Sequence, residues 1–441
     1  MRTILGYNAG PVFSTDPIYC HLLGYVMENH QNSTTSGMSS KEFTILVALL
    51  MSIVAISIDA LLPALGIIGK DLNAVSANQP QLLISMLFLG MAIGQLICGP
   101  LSDSLGRRPV LFGGFAIYLI GTVICYQATS LETLMVGRFI QGLGVAGPYI
   151  SAISLVRDLY HGSQMARIMS LVMMIFMLVP AIAPTLGQAI LLLDDWRGIF
   201  EMYLVYAVIL IVWILFRLKE TLPKENRIPF TQKGFYEGFK EVLTNRITAS
   251  YTICMGLFFG SFIGYLNSAQ QIFQVQFKTG TLFSLYFGLL AVVLGISSLI
   301  NSRIVEKHGA KHIAFRGIYS VVIASALFLL LHAFVTITLW MFLIYAAVFF
   351  FCFGLLFGNI NALAMEPMGH VAGIASAVIG SVSSIMSMII GTIIGQMYDN
   401  SLIPIASGFT LFGAIALGIM YWAEKGRIEE TEEELSEAES V

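Results

Sequence analysis

Apolar residues run almost unbroken through stretches of about 20 residues, the length a helix needs to cross lipid, separated by short polar connections. The runs show neither the strict alternation of a half-buried strand nor the single apolar stripe of a surface helix. Twelve can be placed, at residues 43–65, 81–101, 110–128, 131–156, 168–191, 197–217, 248–272, 283–301, 313–334, 337–362, 371–396 and 403–423. Strands of a transmembrane barrel would alternate over about ten residues, whereas these runs are continuous and longer. The pattern predicts an all-α integral membrane protein with twelve transmembrane helices.

Composition agrees. The chain is 57% hydrophobic and 11% charged, against roughly 25% charged for soluble domains. The net charge of −3 is uninformative, but the placement of positive charge is not. Arg107, Arg108, Arg157, Arg167, Arg303, Lys307, Lys311 and the run from Arg217 to Arg246 fall in alternate connections; the opposite set holds Lys70, Arg197 and Lys278. By the positive-inside rule the first set is cytoplasmic, and an even helix count puts both termini there too. No basic face suits nucleic acid. Cys98, Cys125, Cys254 and Cys352 lie in apolar runs and Cys20 in the N-terminal tail, without metal-type spacing. No phosphate loop, zinc-protease motif or nucleophile elbow appears, so no cofactor or metal is expected and ATP is not the evident energy source.

One connection stands out: Gly99-Pro100-Leu101-Ser102-Asp103-Ser104-Leu105-Gly106-Arg107-Arg108-Pro109. It sets a carboxylate, a turn glycine and two arginines between the second and third runs. A fainter copy follows, with Glu306, Gly309 and Lys311 at the offsets of Asp103, Gly106 and Arg108. The chain thus reads as two six-helix pseudo-symmetric halves, 41–217 and 248–423, joined by a basic linker at 218–247 carrying Pro223 and Pro229. Parallel repeats of this kind place a transport path between the halves. Within the linker, Gln232–Leu243 is expected to lie as an amphipathic helix along the membrane face. Residues 1–40 lack the pattern of a signal peptide and read as a polar cytoplasmic tail. A start at Met38 would fall just before the first helix, so the segment before it reads as a dispensable extension or an overextended start. The sequon Asn32-Ser33-Thr34 has no meaning on the cytoplasmic side. The acidic tail at 424–441 is expected to be solvated or a frayed helix.

Ionisable residues inside a bilayer are costly and usually functional. Asp59 lies about 24 Å along the first helix and Arg138 about 10 Å from the outer end of the fourth, so a pair across a central cavity is geometrically possible. Asp59 is the candidate protonation switch; the alternative is a residue near the outer interface that caps a break at Pro63. Arg138, Gln141 and Gly142 share one helical face, and backbone carbonyls could equally satisfy the arginine. Glu201, near the outer end of the sixth helix, is a weaker candidate for coupling. Asp103, Gly106, Arg107 and Arg108 read as a cytoplasmic gate, Gly106 supplying the turn; the arginines also fix topology. In the fifth helix, Pro180, Pro184 and Gly187 loosen the backbone ladder and allow close approach. The small-residue pairs Gly90–Gly94 and Gly391–Gly395 suit tight contacts. Candidate substrate contacts are Gln141, Tyr149, Phe262, Tyr265, Asn267, Gln271 and Asn359, with Asn361 beside the last. Met173, Met174 and Met177 offer an adaptable wall, though such clusters more often simply fill space.

Over about residues 40–425 these segments resemble the major facilitator superfamily. Gly99–Pro109 looks like its loop motif and Arg138–Gly144 is similar to its helix-4 motif. Pro180–Gly187 looks like the helix-5 motif of drug:proton antiporters. The bicyclomycin/chloramphenicol-resistance (Bcr/CflA) branch is the nearest in flavour, through Asp59–Leu65, Val156–Tyr160, Ala362–Pro367 and Gly373–Ala377. The chain departs from it at Ser268-Ala269-Gln270, where the branch tends to have a Ser-Pro step, and in helix 5, where Met177 and Pro180 replace early glycines. The resemblance implies the major facilitator fold and alternating access. It further implies export of amphipathic small molecules in exchange for protons across a bacterial inner membrane, with Asp59 and Arg138 as the coupling pair. Membrane lipid is the surrounding partner and a monomer is expected. A facilitator or symporter of a metabolite or nutrient on the same fold is the alternative.

Overall fold

In the computed structural model, residues 38–227 and 232–439 are described; most of the expected N-terminal tail, and Pro229, lie outside them. Among the described residues, twelve helices are long and apolar enough to span a membrane. In chain order they are α1 (Ser40–Asp71), α2 (Gln79–Leu105), α3 (Arg107–Tyr126), α4 (Leu131–Leu159), α5 (Arg167–Leu193) and α6 (Arg197–Arg217), then α7 (Arg246–Gln276), α8 (Gly280–His308), α9 (Ala310–Phe334), α10 (Leu339–Gly369), α11 (Gly373–Gln396) and α12 (Ile403–Gly426). No strand occurs among the described residues. All twelve expected spans are present. Several run past the apolar stretch that announced them, because a helix continues into its polar end turns until a cap or turn stops it.

Those stops are visible locally. The hydroxyls of Ser39, Ser130 and Thr338 and the Asn245 amide oxygen accept first-turn N–H groups of α1, α4, α10 and α7, satisfying donors that have no partner within the helix. Gly106 (φ 108°) and Gly309 (φ 76°) separate α2 from α3 and α8 from α9, so both copies of the loop motif make the same one-residue turn. The helix of α12 continues to Glu439, carrying the acidic tail with it.

In lipid there is no hydrophobic drive between helices, and close van der Waals packing decides association. α2 and α4 meet backbone to backbone: a Cβ at Gly90 would lie 2.8 Å from the Leu143 nitrogen, and one at Gly94 2.7 Å from the Leu143 oxygen. The other small-residue pair packs Gly391 and Gly395 onto α7, against Ile263 and Asn267.

The six spans before the linker meet the six after it along two seams. In the α2–α11 seam, Ser381 Oγ donates to the Ala92 carbonyl at 2.7 Å and Thr392 Oγ1 to Ser85 Oγ at 2.7 Å. In the α5–α8 seam, Ser284 Oγ donates to the Pro184 carbonyl at 3.1 Å. The linker helix, Gln232–Thr244, docks on the start of α11, with Gly238 against Ile374 and Val242 fully buried.

Candidate functional site

The regular first turns of α1 end at Asp59, and a 3-10 turn at Leu62–Ala64, with Pro63 at its centre, then interrupts the span. Asp59 is 5% exposed, and among the described residues no hydrogen bond or ion pair reaches its carboxyl. α5 crosses directly over this break: a Cβ at Gly187 would overlap the Ala60 carbonyl oxygen. The prolines of the same segment place α5 against the other half, where Pro184 accepts from Ser284 and Ala181 faces Gly288. Pro180, Pro184 and Gly187 therefore form one contact surface joining the Asp59 break to α8.

Arg138 is fully buried but does not ion-pair with Asp59. Its Nε donates to the Leu83 carbonyl at 3.2 Å, Nη1 to Gln141 Oε1 at 2.6 Å and Nη2 to the Ser57 carbonyl at 2.9 Å. Gln141 passes the chain on, donating to Thr122 Oγ1 at 2.8 Å. Ser57 Oγ meets the Tyr118 hydroxyl at 2.8 Å, and the Tyr203 hydroxyl donates to the Ser57 carbonyl at 3.3 Å. The guanidinium thus ties α1, α2 and α4 together two residues before Asp59, through carbonyls and an amide.

A second cluster lies at the α2–α3 turn. Arg107 donates to Asp103 Oδ1 at 2.6 Å, to Ser102 Oγ at 3.1 Å, and through Nε and Nη2 to both carboxylate oxygens of Asp158 at 2.8 and 3.0 Å. Thr221 Oγ1 also donates to Asp158. Glu220 accepts the backbone N–H groups of Arg107 and Arg108 at 2.9 and 3.0 Å. Pro109 has no N–H, so three of the four first-turn positions of α3 need no further partner. The Glu220 charge also complements the positive end of the helix. Gly106 is required twice here, for its backbone conformation and because a Cβ would come within 2.8 Å of Glu220. Arg108 is turned away, its guanidinium over the Phe112 ring and one N–H on the Leu215 carbonyl. Asp103 reaches the other half: its Oδ2 lies 3.0 Å from where a Gly373 Cβ would stand, at the start of α11. In the second motif copy, Lys311 pairs with Glu424 of α12, which also accepts from the Tyr251 hydroxyl at 2.7 Å. Glu306 is exposed.

The remaining candidates do not gather at one place. Phe262 and Tyr265 join an aromatic cluster in which Phe262 stacks on Phe353 with centroids 4.3 Å apart. Tyr265 meets Phe350 edge-on at 5.4 Å, and Phe259 reaches Phe88 of α2 at 6.1 Å. Tyr149 is half-buried in α4. Asn267 and Gln271 instead bind across the halves. Asn267 Nδ2 donates to the Gly391 carbonyl and Ser85; Gln271 Nε2 donates to the Ala77 carbonyl at 2.8 Å and Asn78 Oδ1 at 2.9 Å, and Gln81 also pairs with Gln271. Asn78 completes this latch by donating to the Gln396 and Tyr398 carbonyls. Asn359 is bound within its own half, to Asn301 and the Leu355 carbonyl, and Asn361 is exposed. Met174 is 41% exposed; the Met177 side chain lies outside the described ones. Glu201 is exposed and engages Tyr126. Among the described residues no group of three or more His, Cys, Asp or Glu side chains could hold a metal ion.

Comparison with known proteins fits this geometry. The family model described as Major Facilitator Superfamily matches residues 47–392. The chain belongs to that superfamily. It is 29% identical to the uncharacterized MFS-type transporter YdgK of Bacillus subtilis, over 77% of this chain and 84% of that protein. It is 27% identical to the bicyclomycin resistance protein homolog of Haemophilus influenzae, over 86% and 94%. It is 31% identical to the multidrug resistance protein MdtL of Escherichia coli, over 55% and 61%. Among solved structures, the human organic anion transporter MFSD10 superposes with a TM-score of 0.67 at 17% identity, covering 88% of this chain and all of that one. The Escherichia coli xylose transporter XylE, in a partially occluded inward-open conformation, gives 0.68 at 15% identity over 88% and 99%.

Asp158, Glu220 and Thr221 of the α2–α3 cluster, and Asn78 and Gln81 of the latch, were not marked by the sequence. Asp158 appears in a family-like segment, but nothing in its spacing links it to Arg107. Glu220 sits in a charged linker where one carboxylate looks like the next.

Proposed function

We propose that this protein is a proton-coupled exporter of amphipathic small molecules in a bacterial inner membrane, both termini cytoplasmic, working by alternating access. The observation that carries the reading is Asp59: a buried carboxyl without a counter-ion, at a helix break gripped by α5, a helix that also touches the other half. Burying a bare carboxylate costs far more than burying the protonated acid. A carboxyl alternately wetted and buried therefore exchanges a proton each time the halves rock. Arg138 holds the α1 turn beside it and sets where the carboxyl points. α5 transmits the change, since Gly187 sits on the Asp59 break while Pro184 and Ala181 sit on α8. The aromatic cluster of α7 and α10, with Phe262 and Tyr265, supplies an apolar, polarisable wall for drug-like rings, and Tyr149 of α4 is a further candidate contact. The Asp103–Arg107–Asp158–Glu220 cluster serves as the cytoplasmic gate. The names of the Haemophilus and Escherichia relatives support export of antimicrobial compounds.

The test is proton flux in everted membrane vesicles with an acid interior. Chloramphenicol-like, bicyclomycin-like and nucleoside-like compounds are added in turn to wild type and to Asp59→Asn. A compound that dissipates the gradient with wild type alone supports antiport coupled at Asp59. Equal dissipation by the variant removes Asp59 from the proton path and makes Glu201 the next candidate. Silence with every compound favours a proton-independent facilitator.

A further inference from the structure

α8 and α9 are joined by Gly309 alone, yet each packs along α10 far more than on the other. Between them opens a groove of about 680 Å³, within the size range of ligand sites. Its walls and floor are apolar, with Val293 and Ile304 from α8 and Val348, Phe351 and Leu355 from α10. At the end near the α8–α9 turn it carries His308, His312 and Arg316, all exposed. Arg316 lies about 9 Å along α9 from its start, and among the described residues it forms no ion pair with a carboxylate. The same outward stripe of α9 continues with Tyr319, Ile323, Leu327 and Leu330, each at least 39% exposed. That stripe faces lipid, so the groove opens sideways to the bilayer and not to water. An unpaired arginine at such depth is costly unless an anion meets it, and basic pockets between helices attract anionic headgroups.

We propose that this groove binds one anionic phospholipid, its acyl chain along α10 between α8 and α9 and its phosphate held by Arg316 and His312. The lipid would fill the space between the two helices of the second motif copy, where Glu306 makes no counterpart of the Asp103–Arg107 pair.

The test uses the full chain purified in detergent, with lipid adducts quantified by native mass spectrometry during titration with phosphatidylglycerol or phosphatidylcholine. Wild type should bind phosphatidylglycerol about fivefold or more tightly than phosphatidylcholine. Arg316→Gln combined with His312→Gln should erase that preference, while Lys233→Gln, removing an exposed cation on the linker helix, should leave it. Val348→Trp fills the groove without altering charge and should weaken both lipids, with circular dichroism and melting temperature verifying the fold. Glycerol phosphate, which has the headgroup chemistry but no chain, should not bind at the same concentrations. Equal affinity of wild type for the two lipids would overturn the proposal, as would a preference that survives the double variant or retained binding in a folded Val348→Trp protein. Binding of glycerol phosphate as tight as phosphatidylglycerol would make this a free-anion site and sink the lipid assignment.

Discussion

Arg138 is held by directed hydrogen bonds to three acceptors on three helices, a task for which an ammonium is poorly shaped. Arg138→Lys keeps the charge but cannot span Leu83, Ser57 and Gln141 together. It should lower the melting temperature and reduce transport at least about tenfold, corresponding to loss of one charge-assisted hydrogen bond. Gln141→Leu should cost less, and a double-mutant cycle of melting temperatures should show the two residues coupled. Near-additive effects would mean that the Arg138–Gln141 contact carries little. Asp59 and Arg138 were legible in the sequence because a charge inside an apolar run is conspicuous. Their surroundings were not: the partners of Arg138 are mostly carbonyl oxygens, which every residue possesses and no side-chain pattern announces. Asn267 and Gln271 were conspicuous for the same reason, yet only the packing reveals that they bridge the halves.

At the scale of the helix, Gly187 and Glu220 act by what they permit. Gly187→Leu would drive a branched side chain into the Ala60 carbonyl and lift α5 off the Asp59 break. Since α5 also holds α8, substrate-dependent proton flux should fall steeply while α5 remains inserted, which cysteine labelling along α5 can verify; unchanged flux would separate α5 from coupling. Glu220→Ala removes the acceptor for two N–H groups at the start of α3 and a charge beside the helix dipole, about 1 kcal/mol for the cap. Hydrogen exchange at the Arg107 and Arg108 amides should accelerate about fivefold or more, with the exchange of α4 unaltered. Unchanged exchange would show that water replaces the carboxylate without cost. All twelve helices were readable from apolar length, and both tight turns from their glycines. Helix ends were less so, because capping by Glu220 comes from more than a hundred residues away in sequence.

For the whole molecule, the decisive question is what holds the halves in this arrangement. At the end away from the Asp103–Arg107 cluster, they are joined by hydrogen bonds of Asn78, Gln81 and Gln271 with the α11–α12 connection and with one another. These bonds are neutral and partly buried, each worth about 1 kcal/mol net. A latch of that size can be broken without disrupting either half, and it biases a two-state equilibrium by its own worth and no more. Asn78→Ala with Gln271→Ala should therefore shift the population toward an arrangement open at that end. Spin labels at the exposed positions Val75 and Met397 report the separation directly. Wild type should give a short, narrow distance distribution, and the double variant a second, longer component. Addition of a transported compound should redistribute the two components without creating a third. A distribution insensitive to both substitutions would mean that the long α2–α11 seam, through Ser381, Thr392 and their glycine neighbours, holds the halves by itself. The rocking axis would then lie along that seam, with α5 and α8 as the moving edge.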